Sequence, residues 1–395
     1  MKRRIPLLPF FAFIAVFLLL NFYVLSGFHT FSVNPVVSLL FWTIILLISA
    51  SLMSAFRRIE RRGMDTFFKV ASHAFLILII SELIFTLFLI PADVYRLFSG
   101  QPRNLHWVEF AFLMFIVTIL IFLYGMIKGK YAYRVVRHVL EFDDLPAAFD
   151  GFTITQISDV HAGSFKNRAA IKKGIDLINE QKSDLFVFTG DLVNNKASEI
   201  LPWMDYFSQI KAPQGQFSIL GNHDYGDYVK WESELNKSMN LKQLKSYHAQ
   251  LGYRLLLDEH VELTKNGDKI ILAGVENWGL GFGQRGDLKK ALRGVDPGAF
   301  KILLSHDPTH WESEVKDYPA KVHLTLSGHT HGMQFGIEAF GIKWSPVKYR
   351  YAHWAGIKKE NGRVLNINRG FGFLGFSGRI GIWPEITVIE LRKSR

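Results

Sequence analysis

A chain of 395 residues without a single cysteine excludes disulfides, thiolate metal sites and cysteine nucleophiles, so any metal must be held by nitrogen and oxygen ligands. Hydrophobic residues make up 49% and aromatics 14%, and that surplus lies at the front of the chain. The net charge of +11 is also uneven: residues 1–138 hold 14 Lys/Arg against 5 Asp/Glu, whereas residues 139–395 hold 32 against 30, which argues against a nucleic-acid-binding surface.

Four apolar runs, 5–25, 36–56, 67–90 and 107–127, are each long enough to cross the roughly 30 Å hydrocarbon layer as a helix. A cleaved leader fits poorly, because the first run lacks a clear small-residue cleavage site and three more runs follow. Basic residues mark one side. Lys2, Arg3 and Arg4, then Arg57, Arg58, Arg61 and Arg62, then Lys128, Lys130, Arg134 and Arg137 make eleven, against Arg96 and Arg103 in the other two loops. That asymmetry predicts an integral inner-membrane protein with its N-terminus and its large C-terminal part in the cytoplasm. Asn21, His73 and Glu82 fall inside the runs and are read as packing or interface positions, so the bundle is expected to be an anchor and not a transport path.

Residues 131–150, ending in DDLPAAFDG, read as a connector between an anchor (1–130) and a catalytic domain (151–395). Beyond it the texture changes to short apolar runs bounded by Gly, Asp, Asn and Pro: FTITQIS, DLFVFTG, QFSILG, KIILAGV, FKILLSH, VHLTLSG, RVLNIN and EITVIEL. These read as buried strands, with helices over 168–181 and 241–251 between some of them, which predicts an α/β domain with a helix-covered sheet.

Polar residues gather where those runs end: Asp159 and His161, then Asp191, then Asn222, His223 and Asp224, then His306, then His329 and His331. Carboxyl ends of strands are where α/β folds bind ligands. Each piece alone is ordinary turn chemistry; five strand ends finishing in Asp, Asn or His point to one site. Two divalent ions about 3.5–4 Å apart can clamp the attacking and leaving oxygens of a displacement at phosphorus. Asp191 is the candidate bridge, with Asp159, His161 and His331 on one ion and Asn222, His306 and His329 on the other. His223 is left to stabilise or protonate the phosphoryl group, and Asp224 is expected to hold its imidazole. Imidazole and carboxylate without thiolate fit Mn, Fe or Zn.

SDVH, GDLVN, GNHD, SHD and GHTHG, in that order across 159–331, resemble the five blocks of the calcineurin-like metallophosphoesterases. The resemblance implies a four-layer αββα sandwich, a binuclear metal centre and hydrolysis of phosphoesters or pyrophosphates, with the same nine residues in the site. GHTHGMQFG and NRGFGFLGFSGRIGIWPEITVIEL are similar to a bacterial membrane-associated branch, some members of which act on UDP-diacylglucosamine-type lipids. Two positions depart from the pattern: Asn194 stands where Asp is common in the second block, and Met333 where a second Gly follows the His pair. The expected partners are therefore the membrane and a phosphorylated small molecule or lipid. The competing reading is an inactive receptor or scaffold, against which the complete ligand set counts. GFGFLGF is read either as core packing or as apolar surface near the site, and Arg369 and Arg379 either as solvated arginines or as ones able to meet a phosphate.

Overall fold

A computed structural model describes residues 7–63, 65–339 and 341–394; the start of the first apolar run, at residues 5 and 6, and Lys2, Arg3 and Arg4 lie outside the described residues. The chain divides into two units, residues 1–124 and 125–395.

In the first unit the four runs are helices α1 (Leu7–Phe28), α2 (Pro35–Arg62), α3 (Thr66–Ser99) and α4 (Leu105–Ile127). All four are long and apolar enough to cross a membrane. Outward residues such as Leu19 and Leu46 stay exposed, while Val24, Phe85, Leu89, Val108 and Ala111 pack inside. Gly27 sets the approach of α1 to α3, because a Cβ there would lie 2.7 Å from the Phe85 ring. At one end Arg103 donates to both Asp93 oxygens and to the Ser26 carbonyl, and Tyr23 donates to Asp93, tying α1 to α3. Within the bundle Asn21 and Glu82 are fully buried, and neither carboxyl oxygen of Glu82 has a hydrogen-bond partner among the described residues.

The second unit holds two six-stranded sheets. The first contains β1 (Arg134–Phe142), β2 (Thr153–Ile157), β3 (Leu185–Phe188), β4 (Gln216–Ser218), β5 (Arg254–Leu255) and β16 (Glu385–Lys393), in the order β1-β16-β2-β3-β4-β5. The second contains β6 (Glu259–Lys265), β7 (Asp268–Gly274), β10 (Lys301–Leu304), β11 (Leu324–Ser327), β14 (Gly356–Glu360) and β15 (Arg363–Ile367), in the order β14-β15-β11-β10-β7-β6. Short ribbons β8–β9 (Trp278–Gly279, Gly283–Gln284) and β12–β13 (Ile337–Ala339, Ile342–Trp344) complete the strands.

Alternation along the strands builds the layers. Leu185 and Val187 face the space between the sheets, where they meet Ile302, Leu304, Leu324 and Leu326. Phe186 and Phe188 face the other way, onto α5 (Arg168–Glu180), α6 (Met204–Phe207) and α7 (Glu234–Gln250), through Ile171, Ile175, Phe207 and Leu244. Leu303 and Leu365 cover the outer face of the second sheet with Leu288, Ala291 and Trp311. The result is the four-layer αββα sandwich. A polar seam crosses its centre: Gln156 donates to Thr189 and to the Ser327 carbonyl and accepts from Asn366, joining the two sheets beneath the site.

All eight expected strands are present, and two expectations change. The stretch 131–150 is not a free connector, because its RVVRHVLEF forms β1, paired in parallel with β16. Its alternation is masked by charged residues on an edge that faces solvent. The helix expected over 241–251 also begins earlier, at Glu234, where Ser233 accepts the Asn236 N–H as an N-cap.

Candidate metal centre

Each strand end delivers its side chains through a tight turn, and adjacent turns are fastened to one another. After β2 and β3, the N–H groups of Asp159, His161 and Ala162 donate to the carbonyls of Gly190, Asp191 and Leu192. Five of the seven candidate ligands, Asp159, His161, Asp191, His329 and His331, have φ between 47° and 68°, the left-handed region that non-glycine residues rarely occupy. Such conformations persist only where the surroundings fix them, and they cluster at functional sites. Two glycines give the room. A Cβ on Gly221 would sit 2.2 Å from Asp191 Oδ1, and one on Gly328 would sit 2.4 Å from Asp159 Oδ2.

The structure brings all seven candidate ligands together. Asp159, His161 and His331 form one cluster of converging donor atoms, and Asp191, His306 and His329 a second. In the first, His331 Nε2 lies 3.2 Å from Asp159 Oδ1 and 3.0 Å from His161 Nε2. In the second, His306 Nε2 and Asn222 Oδ1 lie 3.3 Å and 2.9 Å from His329 Nδ1. A single oxygen, Asp191 Oδ2, stands between them, 3.6 Å from His161 Nε2 and 3.3 Å from His306 Nε2. The surroundings fix the ring orientations. His306 donates from Nδ1 to the Thr189 carbonyl at 2.7 Å, so its Nε2 lone pair points inward. His329 turns Nε2 toward Asp307 Oδ2 at 3.3 Å, leaving Nδ1 toward the cluster.

This donor set fits divalent cations. Buried imidazole and carboxylate lone pairs that face each other at about 3 Å repel unless a cation or proton lies between them. The carboxyls are already biased toward the charged form. Burial opposes ionisation, yet the imidazoles of His306 and His223 around Asp191, and of His331 beside Asp159, hold both well below the usual carboxylate range. Burial holds His161 well below the usual histidine value, as a neutral ligand must be. His306 is the exception: burial disfavours its charged form, but Asp191 pulls it up to about 10, so a cation must displace a proton there.

The catalytic pair corrects the sequence reading. Asp224 does not hold His223; its oxygens accept the N–H groups of Asp191, Leu192, Val193 and Gly221 at 2.9–3.2 Å and lock the two metal-binding turns. Burial and the neighbouring Asp191 charge push its carboxyl up to about 7, against the pull of those N–H groups. The imidazole of His223 is held instead by the Asn194 carbonyl, 2.8 Å from Nδ1, which leaves Nε2 free. Its backbone N–H donates to Asp191 Oδ1, and the Tyr228 ring lies against it with centroids 4.4 Å apart.

Neither expected arginine faces a phosphate. Arg369 is paired with Glu338 and Glu385, and Arg379 is fully buried, donating to the carbonyls of Gly372 and Arg369 beside His331 Nδ1. GFGFLGF is core at Phe371 and Phe373, with Phe371 stacked on Tyr133. Met333 sits at φ 54°, where a glycine would be unstrained, with its side chain exposed. Sequence reasoning missed Asp307, Tyr228 and Gln334; the last clamps the loop after Arg369 through the Phe376 carbonyl and the Leu374 N–H. Asp307 directly follows His306 in SHD, and a buried acid next to a ligand was the available signal.

The sandwich and the paired clusters define a metal-dependent phosphoesterase, and similarity to known proteins agrees. Residues 152–333 match the calcineurin-like phosphoesterase family, and residues 3–130 match the probable calcineurin-like phosphoesterase transmembrane domain. The chain belongs to this family. It is 31% identical over 267 residues to the uncharacterized metallophosphoesterase YkuE of Bacillus subtilis, covering 66% of this chain and 86% of that one. It is 28% identical over 290 residues to a transmembrane protein with metallophosphoesterase domain from Danio rerio, covering 71% and 62%. It is 29% identical over 270 residues to the UDP-2,3-diacylglucosamine pyrophosphatase LpxG of Chlamydia trachomatis, covering 58% and 81%. The chain is thus a membrane metallophosphoesterase.

Proposed function

We propose that this protein hydrolyses a phosphodiester or pyrophosphate bond in a lipid-linked or nucleotide-lipid substrate at the cytoplasmic face of the membrane. The observation that carries the reading is Asp191 Oδ2, which stands within 3.6 Å of a histidine from each cluster as a bridging carboxylate would. Asp159, His161 and His331 would hold one divalent cation and Asn222, His306 and His329 the other, with Mn, Fe or Zn favoured by the N/O donor set. When bound, the two ions supply Lewis acidity to the phosphoryl oxygens and a nucleophile at neutral pH.

The chain's own residues do the rest. Asn222 is neutral, which limits the negative charge that an anionic phosphate meets. His223, fixed at Nδ1 by the Asn194 carbonyl, presents Nε2 to the phosphoryl group, where it stabilises charge or gives its proton to the departing oxygen. Asp224 keeps the turns that carry Asp191 and His223 in register. The pyrophosphatase relative from Chlamydia trachomatis and the four apolar helices support a lipid-linked substrate. The eleven-to-two distribution of basic residues supports the cytoplasmic side.

Hydrolysis of a chromogenic phosphodiester with Mn²⁺ by the full chain tests the chemistry. Wild type should turn over, while Asp191→Ala and His223→Ala should be nearly inert. Equal inertness of all three across several metals and phosphoesters sinks the reading. Lipid profiling of a deletion strain should reveal an accumulating phosphorylated species, and a C-terminal alkaline phosphatase fusion should be inactive outside the cell.

A further inference from the structure

The two-stranded ribbon β12–β13 turns its charged residues inward and its apolar ones outward. Pairing sets Ile337 opposite Trp344, Glu338 opposite Lys343 and Ala339 opposite Ile342. Opposed residues of an antiparallel pair share a face, and successive residues alternate between faces. Glu338 and Lys343 thus lie on one face, and the catalytic unit holds it. Arg369 donates to both Glu338 oxygens, and Lys343 donates to the Ala355 carbonyl with its ammonium 5.1 Å from the centre of the Trp354 ring. The other face is Ile337, Ala339, Ile342 and Trp344. Ile337 and Ile342 are 50% and 55% exposed, Ala339 is exposed and Trp344 is half-buried. Met333, also exposed, extends the patch, because the carbonyl of the preceding Gly332 accepts from Ser345 at the foot of β13. A ribbon face that is apolar at every position gains stability when something apolar covers it.

The foot of the ribbon is fastened beside the exit of helix α4. Residues 125–127, the end of α4, belong to the second unit. The Gly125 carbonyl accepts the Arg379 N–H at 3.2 Å. The next residue, Ile380, donates to the Gln334 carbonyl at 2.8 Å and accepts the Gly336 N–H at 2.9 Å. Close approach is built in on both sides. A Cβ on Gly125 would lie 2.7 Å from the Arg379 carbonyl oxygen, and one on Gly381 would lie 1.9 Å from that of Gly336. A Cβ on Gly129 would meet the Trp383 ring at 2.7 Å, and the Arg134 guanidinium lies over that ring. Lys128 and Arg134 are exposed. Indoles and basic side chains at the end of an apolar helix mark a membrane–water boundary.

We infer that the outer face of β12–β13 lies in the bilayer interface, a second membrane contact that docks the catalytic unit on the lipid surface. The occupant is lipid because the stretch 379–381 holds both the ribbon's foot and the end of a helix long and apolar enough to cross a membrane. Amphipathic elements bind in this way, with the apolar face at the acyl boundary and the charged face turned away. The ribbon begins six residues after the candidate ligand His331, so docking holds the turn that carries His331 at the lipid surface. The inference rests on α4 crossing the membrane and not on the hydrolase reading.

The chain has no cysteine, so an introduced thiol reports on one position alone. Ile337→Cys, Ile342→Cys, Leu120→Cys on α4 and Met239→Cys on α7 are each labelled with an environment-sensitive fluorophore, in the full-length protein with one copy per phospholipid nanodisc. All four side chains are exposed, so the substitutions leave packing intact. Lipid carrying a nitroxide on the upper acyl chain should quench most of the emission at Ile337, Ile342 and Leu120 and leave Met239 bright. Adding Ile337→Glu to the Ile342→Cys protein should abolish most of the quenching at Ile342. Quenching at Leu120 with none at the ribbon overturns the docking and leaves the anchor standing. No quenching at Leu120 removes α4 from the bilayer and the inference with it. Equal quenching at Met239 and Ile342, or quenching at Ile342 that survives Ile337→Glu unchanged, shows that the apolar face is not what docks. A blue shift at Ile342 that requires two copies per disc, without quenching, makes the face a self-association surface and also overturns the inference.

Discussion

The membrane bundle and the catalytic unit both bury acidic side chains, and they treat them in opposite ways. In the catalytic unit, Asp224 accepts four backbone N–H groups, and Asp191 accepts the His223 N–H while facing imidazoles from both clusters. In the bundle, Glu82 is as deeply buried, and both its oxygens are without a hydrogen-bond partner among the described residues. Ionised groups survive burial where donors or cations meet them. The first pattern is that of a built site; the second is a polar residue carried by a structural helix. The teaching is that burial of an acid says little until its partners are counted.

The largest effect expected on that contrast comes from Asp191→Asn, which keeps the shape and removes the bridging charge. Turnover should fall about 10³-fold or more, and elemental analysis should find fewer than two ions per chain. Retention of both ions with full activity would remove Asp191 from its bridging role. Gly221→Ala is next, because the new methyl would meet Asp191 Oδ1 at 2.2 Å. A displacement of about 1 Å at a catalytic group can lower turnover about 10²-fold, and the fall should come in kcat with little change in KM.

Affinity for Mn²⁺ should rise with pH through neutrality, approaching tenfold per pH unit, because Asp191 holds a proton on His306 up to about 10 and the cation must release it. Calorimetric titration at several pH values measures this; a flat profile would mean that His306 binds neutral. Saturating metal at 100 times Kd should stabilise the catalytic unit by about 2.7 kcal/mol, raising its melting transition and leaving that of the bundle unmoved. The smallest effect is expected at Glu82. Glu82→Leu should stabilise the bundle and change hydrolysis by less than about twofold if, as we propose, the helices serve as an anchor. A large loss of turnover there would overturn the anchor reading and erase the contrast.

Much of this architecture was legible in the sequence. The four apolar runs, the eight buried strands and the seven candidate ligands share a cause: each is written locally, as a hydrophobic period or as a polar residue at a strand end. What was not legible depends on which turns lie beside each other. Asp224 is adjacent to His223 in sequence, yet its carboxylate faces the backbone of the turn after β3, and only the folded arrangement assigns the imidazole to Asn194. Arg379 reads as a solvated arginine or a phosphate contact until the loop folds it against three backbone carbonyls. β1 was hidden because an edge strand carries charge on its open side, which erases the apolar pattern.

The placement of β16 between β1 and β2 sets the order in which the molecule can be made. β1 leaves the ribosome just after helix α4, but its ladder partner among the described residues begins at Glu385, 243 residues after Phe142. At 5–20 residues per second, that is roughly 10–50 s during which the first sheet cannot close. Throughout that interval an unpaired strand edge waits on a chain already held at the membrane. An open edge at that stage is a template for pairing with a neighbouring chain until β16 covers it.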